Sequence, residues 1–111
     1  MTQTRAQRIH RQLPETLLYI ADAIEQNPML HFSAALELAR DHFQHDLAEI
    51  LDKVVRLMQL GMSHFEALQK VAASENIPAF TWIVAAHQPD ESFITAATLR
   101  RVAERLATDD S

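Results

Sequence analysis

The sequence has no cysteine and only one glycine among 111 residues. Without cysteine, disulfide bonds, thiolate chemistry and cysteine-ligated zinc sites are excluded. A single glycine provides too little backbone freedom for a phosphate-binding loop, and no nucleotide-binding or nucleophile-elbow motif is present. No apolar stretch approaches the roughly 20 residues that span a bilayer, and the N-terminus lacks the apolar core of a signal peptide. We therefore expect a soluble, cytoplasmic chain.

The residues that are present favour a single helical domain. Apolar residues make up 48% of the chain, and the residue types that favour helices outnumber β-branched and aromatic ones. No segment alternates apolar and polar residues convincingly, so we predict no β-sheet. We predict one all-α domain over residues 1–111, an antiparallel bundle of about six helices built from repeated helical hairpins. Residues 1–4 and 108–111 are expected to be frayed.

The first two predicted helices are bounded by proline and by breaks in the apolar spacing. The first covers residues 4–26, with a restart at Pro14 as an alternative, because proline suits a first helical turn better than a helix interior. The second begins at Met29 or Ser33 and ends at Phe43. Connections of two to four residues are expected throughout the bundle.

The third predicted helix, over residues 46–60, has the clearest pattern, with Asp46 as its N-cap. Its apolar positions share one face: Leu47, Ile50, Leu51, Val54, Leu57 and Met58. The other face carries two acid-before-base pairs at i,i+4 spacing: Glu49–Lys53 and Asp52–Arg56. Gly61 is expected to adopt the left-handed conformation that ends this helix.

The remaining helices follow from capping signals. Residues 63–66 match a capping box that starts a fourth helix, which fades near residues 74–76. A fifth helix is predicted over residues 78–86, followed by a turn at 87–90. The last helix is expected to begin at Glu91 or Ser92 and to continue to about Leu106.

An imperfect internal repeat links several of these helices. Residues 67–72 (Ala-Leu-Gln-Lys-Val-Ala) recur as residues 98–103 (Thr-Leu-Arg-Arg-Val-Ala), and Met-x-His-Phe occurs at 29–32 and at 62–65. Units that recur every thirty or so residues suggest stacked helical hairpins, each too small to bury its apolar face alone. Chance similarity among Ala/Leu-rich helices is the alternative. The repeat favours a packing and docking module over a reaction centre.

The charge is unevenly placed along the chain. The net charge is −5, yet six of the ten Lys and Arg residues lie near the termini. They are Arg5, Arg8, Arg11, Arg100, Arg101 and Arg105. Solvated terminal helices explain this pattern, and so does contact of both ends with a partner or an anionic membrane surface. The negative net charge disfavours nucleic-acid binding.

Two clusters could carry metal or acid–base chemistry. His42 and His45 have the i,i+3 spacing of a shared metal ion, but a polar break at residues 44–45 interrupts the helix and no third ligand is identifiable. The acidic patch contains Asp41, Asp46, Glu49 and Asp52. A solvated helix face explains these acids, and weak binding of a divalent cation is the alternative. We predict no catalytic residue, no metal site and no cofactor, with a metal-dependent hydrolase as a remaining alternative.

Nearly the whole chain resembles the cytoplasmic helical domain (F domain) of inner-membrane platform proteins of type II secretion and type IV pilus systems. The resemblance is carried by residues 11–17 (Arg-Gln-Leu-Pro-Glu-Thr-Leu), by the helix over 33–39, by the long helix over 47–60 with Gly-x-Ser-x-x-Glu-Ala-Leu at 61–68, and by the closing helix over 91–106. The subtype that it resembles most is the platform protein of tight-adherence (Flp) pili.

The resemblance implies a non-enzymatic scaffold. Such a domain lies at the cytoplasmic side of the bacterial inner membrane, next to membrane-spanning segments of the same protein. Its partners are the secretion or pilus assembly ATPase and neighbouring platform subunits, with a homodimer as a further option. The alternative is a small helical adaptor or secretion chaperone that binds an amphipathic partner helix.

Overall fold

The computed structural model describes residues 4–43, 45–86 and 94–109, and these residues form α-helices without any strand. The helices are α1 (Arg5–Gln26), α2 (Phe32–His42), α3 (Asp46–Gln59), α4 (His64–Glu75), α5 (Pro78–Ala86) and α6 (Ala96–Asp109). The predicted all-α class is therefore confirmed. Within the described ranges, no helix combines the length and the apolar character needed to cross a membrane.

The helices are arranged as a closed ring. Each helix packs against the next along the chain, α6 packs along α1, and α1 also contacts α3. Arg100 near the start of α6 contacts Glu25 near the end of α1, so these two helices run antiparallel. At one end of the bundle, the start of α1 meets the start of α3 and the end of α4. We call this the charged end. The end of α1 and the starts of α2, α4 and α6 lie at the opposite end, which we call the groove end.

The buried core explains the internal repeat. Ala67, Leu68, Val71 and Ala72 of α4 are buried, and so are the equivalent residues Thr98, Leu99, Val102 and Ala103 of α6. Four matched positions on each helix therefore face the interior, with small side chains next to larger ones. This arrangement lets neighbouring helices approach closely, so the repeat marks equivalent packing positions.

The turn between α3 and α4 has the predicted geometry. Gly61 has φ +107°, and its N–H donates to the Met58 carbonyl oxygen at 3.0 Å, while the Met62 N–H donates to the Leu57 carbonyl oxygen at 3.1 Å. These two bonds form a Schellman motif, which satisfies carbonyl groups at the helix end. The Ser63 hydroxyl then accepts a hydrogen bond from the Glu66 N–H at 3.1 Å and caps α4.

Three helix features differ from the predictions. Pro14 lies inside a continuous α1, because the helix tolerates one missing N–H where its apolar face is buried in the core. Asp46 is the first residue of α3 and His45 occupies the N-cap, so the predicted cap was wrong by one residue. The start of α6 at Ala96 follows a Thr95 side chain that accepts from the Thr98 N–H at 3.2 Å, later than predicted.

The connections and termini also depart from expectation. The connection 27–31 is longer than the predicted two to four residues. Thr4 caps α1 in a reciprocal capping box with Gln7, and α6 extends to Asp109, so regular structure reaches into both termini that were expected to fray. The predicted turn at 87–90, the predicted helix start at Glu91 or Ser92, and the break at Gln44 lie outside the described residues.

Candidate functional site

Two of the predicted basic site residues are held in ion pairs at the charged end. Arg8 Nε donates to Asp46 Oδ2 at 2.8 Å, and Arg5 Nη1 donates to Glu75 Oε2 at 3.1 Å. Arg5 also lies 3.3 Å from Asp46 and 3.6 Å from Glu49. The hydrogen bond from Arg8 lowers the pKa of the Asp46 carboxyl, helped by the charges of both arginines. These arginines therefore fasten α1 to α3 and α4.

Glu75 is the most enclosed acid of this network. Its side chain is 12% exposed and accepts hydrogen bonds from Lys53 of α3 and from Arg5 of α1. The hydrogen bond from Lys53, followed by that from Arg5, lowers the pKa of the Glu75 carboxyl below its usual value. Glu49 contacts Arg5 and Lys53 contacts Glu75, so the predicted Glu49–Lys53 pair is replaced by contacts between helices.

The other predicted basic residues are distributed over two helices. Arg100 of α6 is tied to Asp22 and Glu25 of α1, and the Arg105 guanidinium lies 3.8 Å from the centre of the Trp82 ring. Arg11 and Arg101 are exposed. Because Arg100 lies near the groove end and Arg5 at the charged end, the structure does not gather the six arginines into one surface.

The acidic patch and the histidine pair do not form a common centre. Asp52 pairs with Arg40 at 2.8 Å and with Arg56 at 2.6 Å, the latter as predicted. His42 ends α2 and stacks on Tyr19, with ring centres 4.4 Å apart, whereas His45 precedes α3. No cluster of three or more metal-ligating side chains occurs within the described ranges.

An apolar groove lies at the groove end. A cavity of about 590 Å³ lies between the end of α1, the connection to α2, the end of α3 and the start of α6. Its apolar lining includes Ile24, Met29, Leu30, Phe32, Met58 and Ile94. A second cavity of about 360 Å³ shares Ser33, Met58 and His64 with the first and continues along α2 and α3 past Glu37 and Val55. We refer to the two adjoining cavities as the apolar groove.

The groove combines a fixed floor with an adaptable rim. Phe32 is 8% exposed, and its ring meets the His64 ring edge-on with centres 5.6 Å apart. Met29 at the rim is 87% exposed, which is unusual for a large apolar side chain. Phe32 and His64 belong to the two copies of the Met-x-His-Phe motif, so the repeated motifs meet in the groove.

No family model, curated protein or solved structure matches this chain. The sequence interpretation missed the groove because its walls come from four separate segments. The Met-x-His-Phe repeat was the one signal that pointed to it, since both copies contribute to the walls.

Proposed function

We propose that this chain is a non-enzymatic docking domain of an inner-membrane assembly platform of the type II secretion and type IV pilus kind. In this role it binds the assembly ATPase and neighbouring platform subunits at the cytoplasmic side of the bacterial inner membrane. The resemblance supports this proposal, because its most specific segment, residues 61–68, forms the tight turn that joins α3 to α4. The all-helical fold agrees with it.

The observation that carries a docking role is the position of the apolar groove. It lies at the groove end, whereas the start of α1 lies at the charged end. Arg5 and Arg8 stabilise the charged end internally through Asp46, Glu49 and Glu75. A domain held through the start of α1 would thus present the groove away from its point of attachment.

Co-purification tests the proposal. The chain, alone and tethered to a membrane, is mixed with the secretion ATPase encoded near its gene, and association is measured at up to tens of micromolar. We expect a complex with at least the tethered form. The absence of association with either form would contradict the platform role.

A small helical adaptor or secretion chaperone is the second candidate, and the groove itself favours it. Apolar grooves between helices are a recurring way to bind an amphipathic partner helix. Neighbouring genes discriminate the two: pilin and secretion ATPase genes support the platform, whereas an effector gene supports the chaperone.

A further inference from the structure

We propose that the apolar groove binds a cationic amphipathic helix of a partner protein, with its apolar side chains between α2, α3 and α6 and a Lys or Arg against Glu37. This inference rests on the proposed docking function and names the chemistry of one partner. Peptide binding tests this inference without the ATPase, so a negative result here is distinguishable from a failure of the chain to bind the ATPase.

The apolar lining is suited to receive side chains from a helix. Met29, Met58 and Met62 all line the groove, and methionine adapts its shape because its side chain is unbranched and polarizable. Met29 leaves most of its surface in water, and burial against a partner would remove that exposed area. Helix-binding grooves in other proteins use the same combination of methionine and aromatic residues.

The extent of the groove matches a helix more closely than a compact ligand. The two cavities, of about 590 and 360 Å³, adjoin through Ser33, Met58 and His64 and follow the flank of α2. A helix rises about 5.4 Å per turn, so its anchors at i and i+3 or i+4 fall about one turn apart, and the lining positions Phe32 and Glu37 of α2 are likewise separated by more than one turn. A partner helix would lie beside α2 and cover Met29.

The charges around the groove favour a positively charged partner. Within the described part of the chain, neither cavity is lined by Lys or Arg, and the acids that line them are Glu25 and Glu37. Glu25 is already hydrogen-bonded to Arg100. Glu37 is half-buried on α2 and has no ion-pair partner among the described residues. A cationic side chain of the partner would meet this acid, and the net charge of −5 would speed its approach.

Other occupants lack this complementarity. A second copy carries the same charge of −5, and the arginines at the start of its α1 are already paired with Asp46, Glu49 and Glu75. Residues 87–93, which precede Ile94, contain Asp90 and Glu91 but no Lys or Arg. Residues 87–93 thus offer no Lys or Arg to Glu37, and a second copy approaches against a like net charge of −5, so a separate cationic helix is the better fit.

The test uses three fluorescein-labelled synthetic peptides of about 18 residues, or five helical turns. The first is an amphipathic helix with a leucine stripe flanked by lysines. The second is the same helix with glutamates in place of the lysines, and the third is a scrambled form of the first that keeps the charge but loses the stripe. Binding to the full chain is measured by anisotropy at low salt and at roughly 0.5 M salt. We expect the lysine peptide to bind at least about tenfold more tightly than either control peptide.

Two pairs of variants locate the binding site. Met29→Ser removes the exposed groove side chain, and Leu60→Ser is its matched control, because Leu60 is 82% exposed and lies outside both cavities. Glu37→Lys reverses the groove charge, and Glu15→Lys on the exposed surface of α1 is its net-charge control. We expect each groove variant to weaken binding about five- to tenfold and each control to leave it near wild type.

The outcomes decide the proposal. Loss of affinity in Met29→Ser and Glu37→Lys but not in their controls supports it. Equal binding of all three peptides, equal effects of a groove variant and its control, or no binding of the lysine peptide at tens of micromolar overturns it. A shift of the chain to a dimer that competes with peptide identifies a second copy as the occupant and equally overturns it.

Discussion

Arg100 Nη1 donates to Glu25 Oε2 at 2.6 Å across 75 positions of sequence, and Arg100 Nη2 donates to Asp22 Oδ1 at 2.8 Å. One guanidinium thus joins α6 to two successive turns of α1 beside the apolar groove. The hydrogen bond from Arg100, together with its charge, lowers the pKa of the Glu25 carboxyl below its ordinary value of 4.5. The contact therefore stabilises the packing of α6 against α1 at the point where α6 begins.

Arg100→Gln is expected to lower the free energy of unfolding near neutral pH. It should also make that free energy fall less as the solution is acidified. Because the pKa of Glu25 is lower in the folded chain, its contribution is present above pH 4.5 and is lost as the pH falls through the lowered value. Urea unfolding at neutral pH and at about pH 3 measures this. The exposed Arg101→Gln is the control. An equal loss at both pH values would show that the ionised Glu25 is not what Arg100 stabilises.

Glu75→Gln is expected to destabilise the charged end by about 1 kcal/mol, since its carboxylate joins Lys53 and Arg5 on two other helices. High salt should narrow the difference from wild type, because ions screen partly exposed charges. The pKa of Glu75 is lowered, so its contribution should also disappear as the pH falls through that lowered value. Urea midpoints at low and high salt give the result, with Glu104→Gln as an exposed control. If high salt left the stability difference between Glu75→Gln and wild type unchanged, the stabilisation by Glu75 would not be electrostatic.

Gly61→Val is expected to cost about 1–3 kcal/mol, because a β-branched residue is strained at φ +107°. No atom lies within 4 Å of a Cβ added at this position, so the loss reports backbone strain without a steric clash. Gly61→Asn should lose less, since asparagine tolerates positive φ better. Chemical denaturation compares the three proteins. Equal stability of Val and Gly at this position would contradict the Schellman turn.

Leu51→Ala is expected to cost about 2–5 kcal/mol, and Val54→Ala should also destabilise, because both side chains are fully enclosed. The solvent-exposed Gln59→Ala on the same helix is the control. Unfolding midpoints in urea provide the comparison. A near-wild-type midpoint for Leu51→Ala would mean that a different face of α3 packs on α1, α2 and α4.

The features predicted most reliably from the sequence are those that depend on residues within a few positions of one another. The face of α3, Gly61 at its end and Ser63 at the start of α4 all follow from spacing and capping within a few residues. Val55 was not assigned to the core, although it is 2% exposed, because the apolar stripe is wider than the spacing rule required. Pro14 is retained within α1 because burial of the helix on both sides of it outweighs the local preference for a break.

The charge contacts and the groove were not predictable in the same way. Arg5 and Glu75 are 70 positions apart, and Arg100 and Glu25 are 75 apart, so no local pattern indicates that they meet. The groove joins Ile24, Met58 and Ile94 from distant segments. The sequence contains these apolar and charged residues, but the packing of the six described helices into a ring determines which of them become neighbours.

The pairing of α6 with α1 has a consequence for the order of the chain. α6 runs antiparallel to α1 from the groove end, and with 14 residues against 22 it ends part-way along α1. A circular permutant that joins the end of α6 to the start of α1 therefore needs a linker that spans about eight helical residues, or ~12 Å. A carrier protein that receives this fold in a surface loop must therefore hold its two junctions about 12 Å apart.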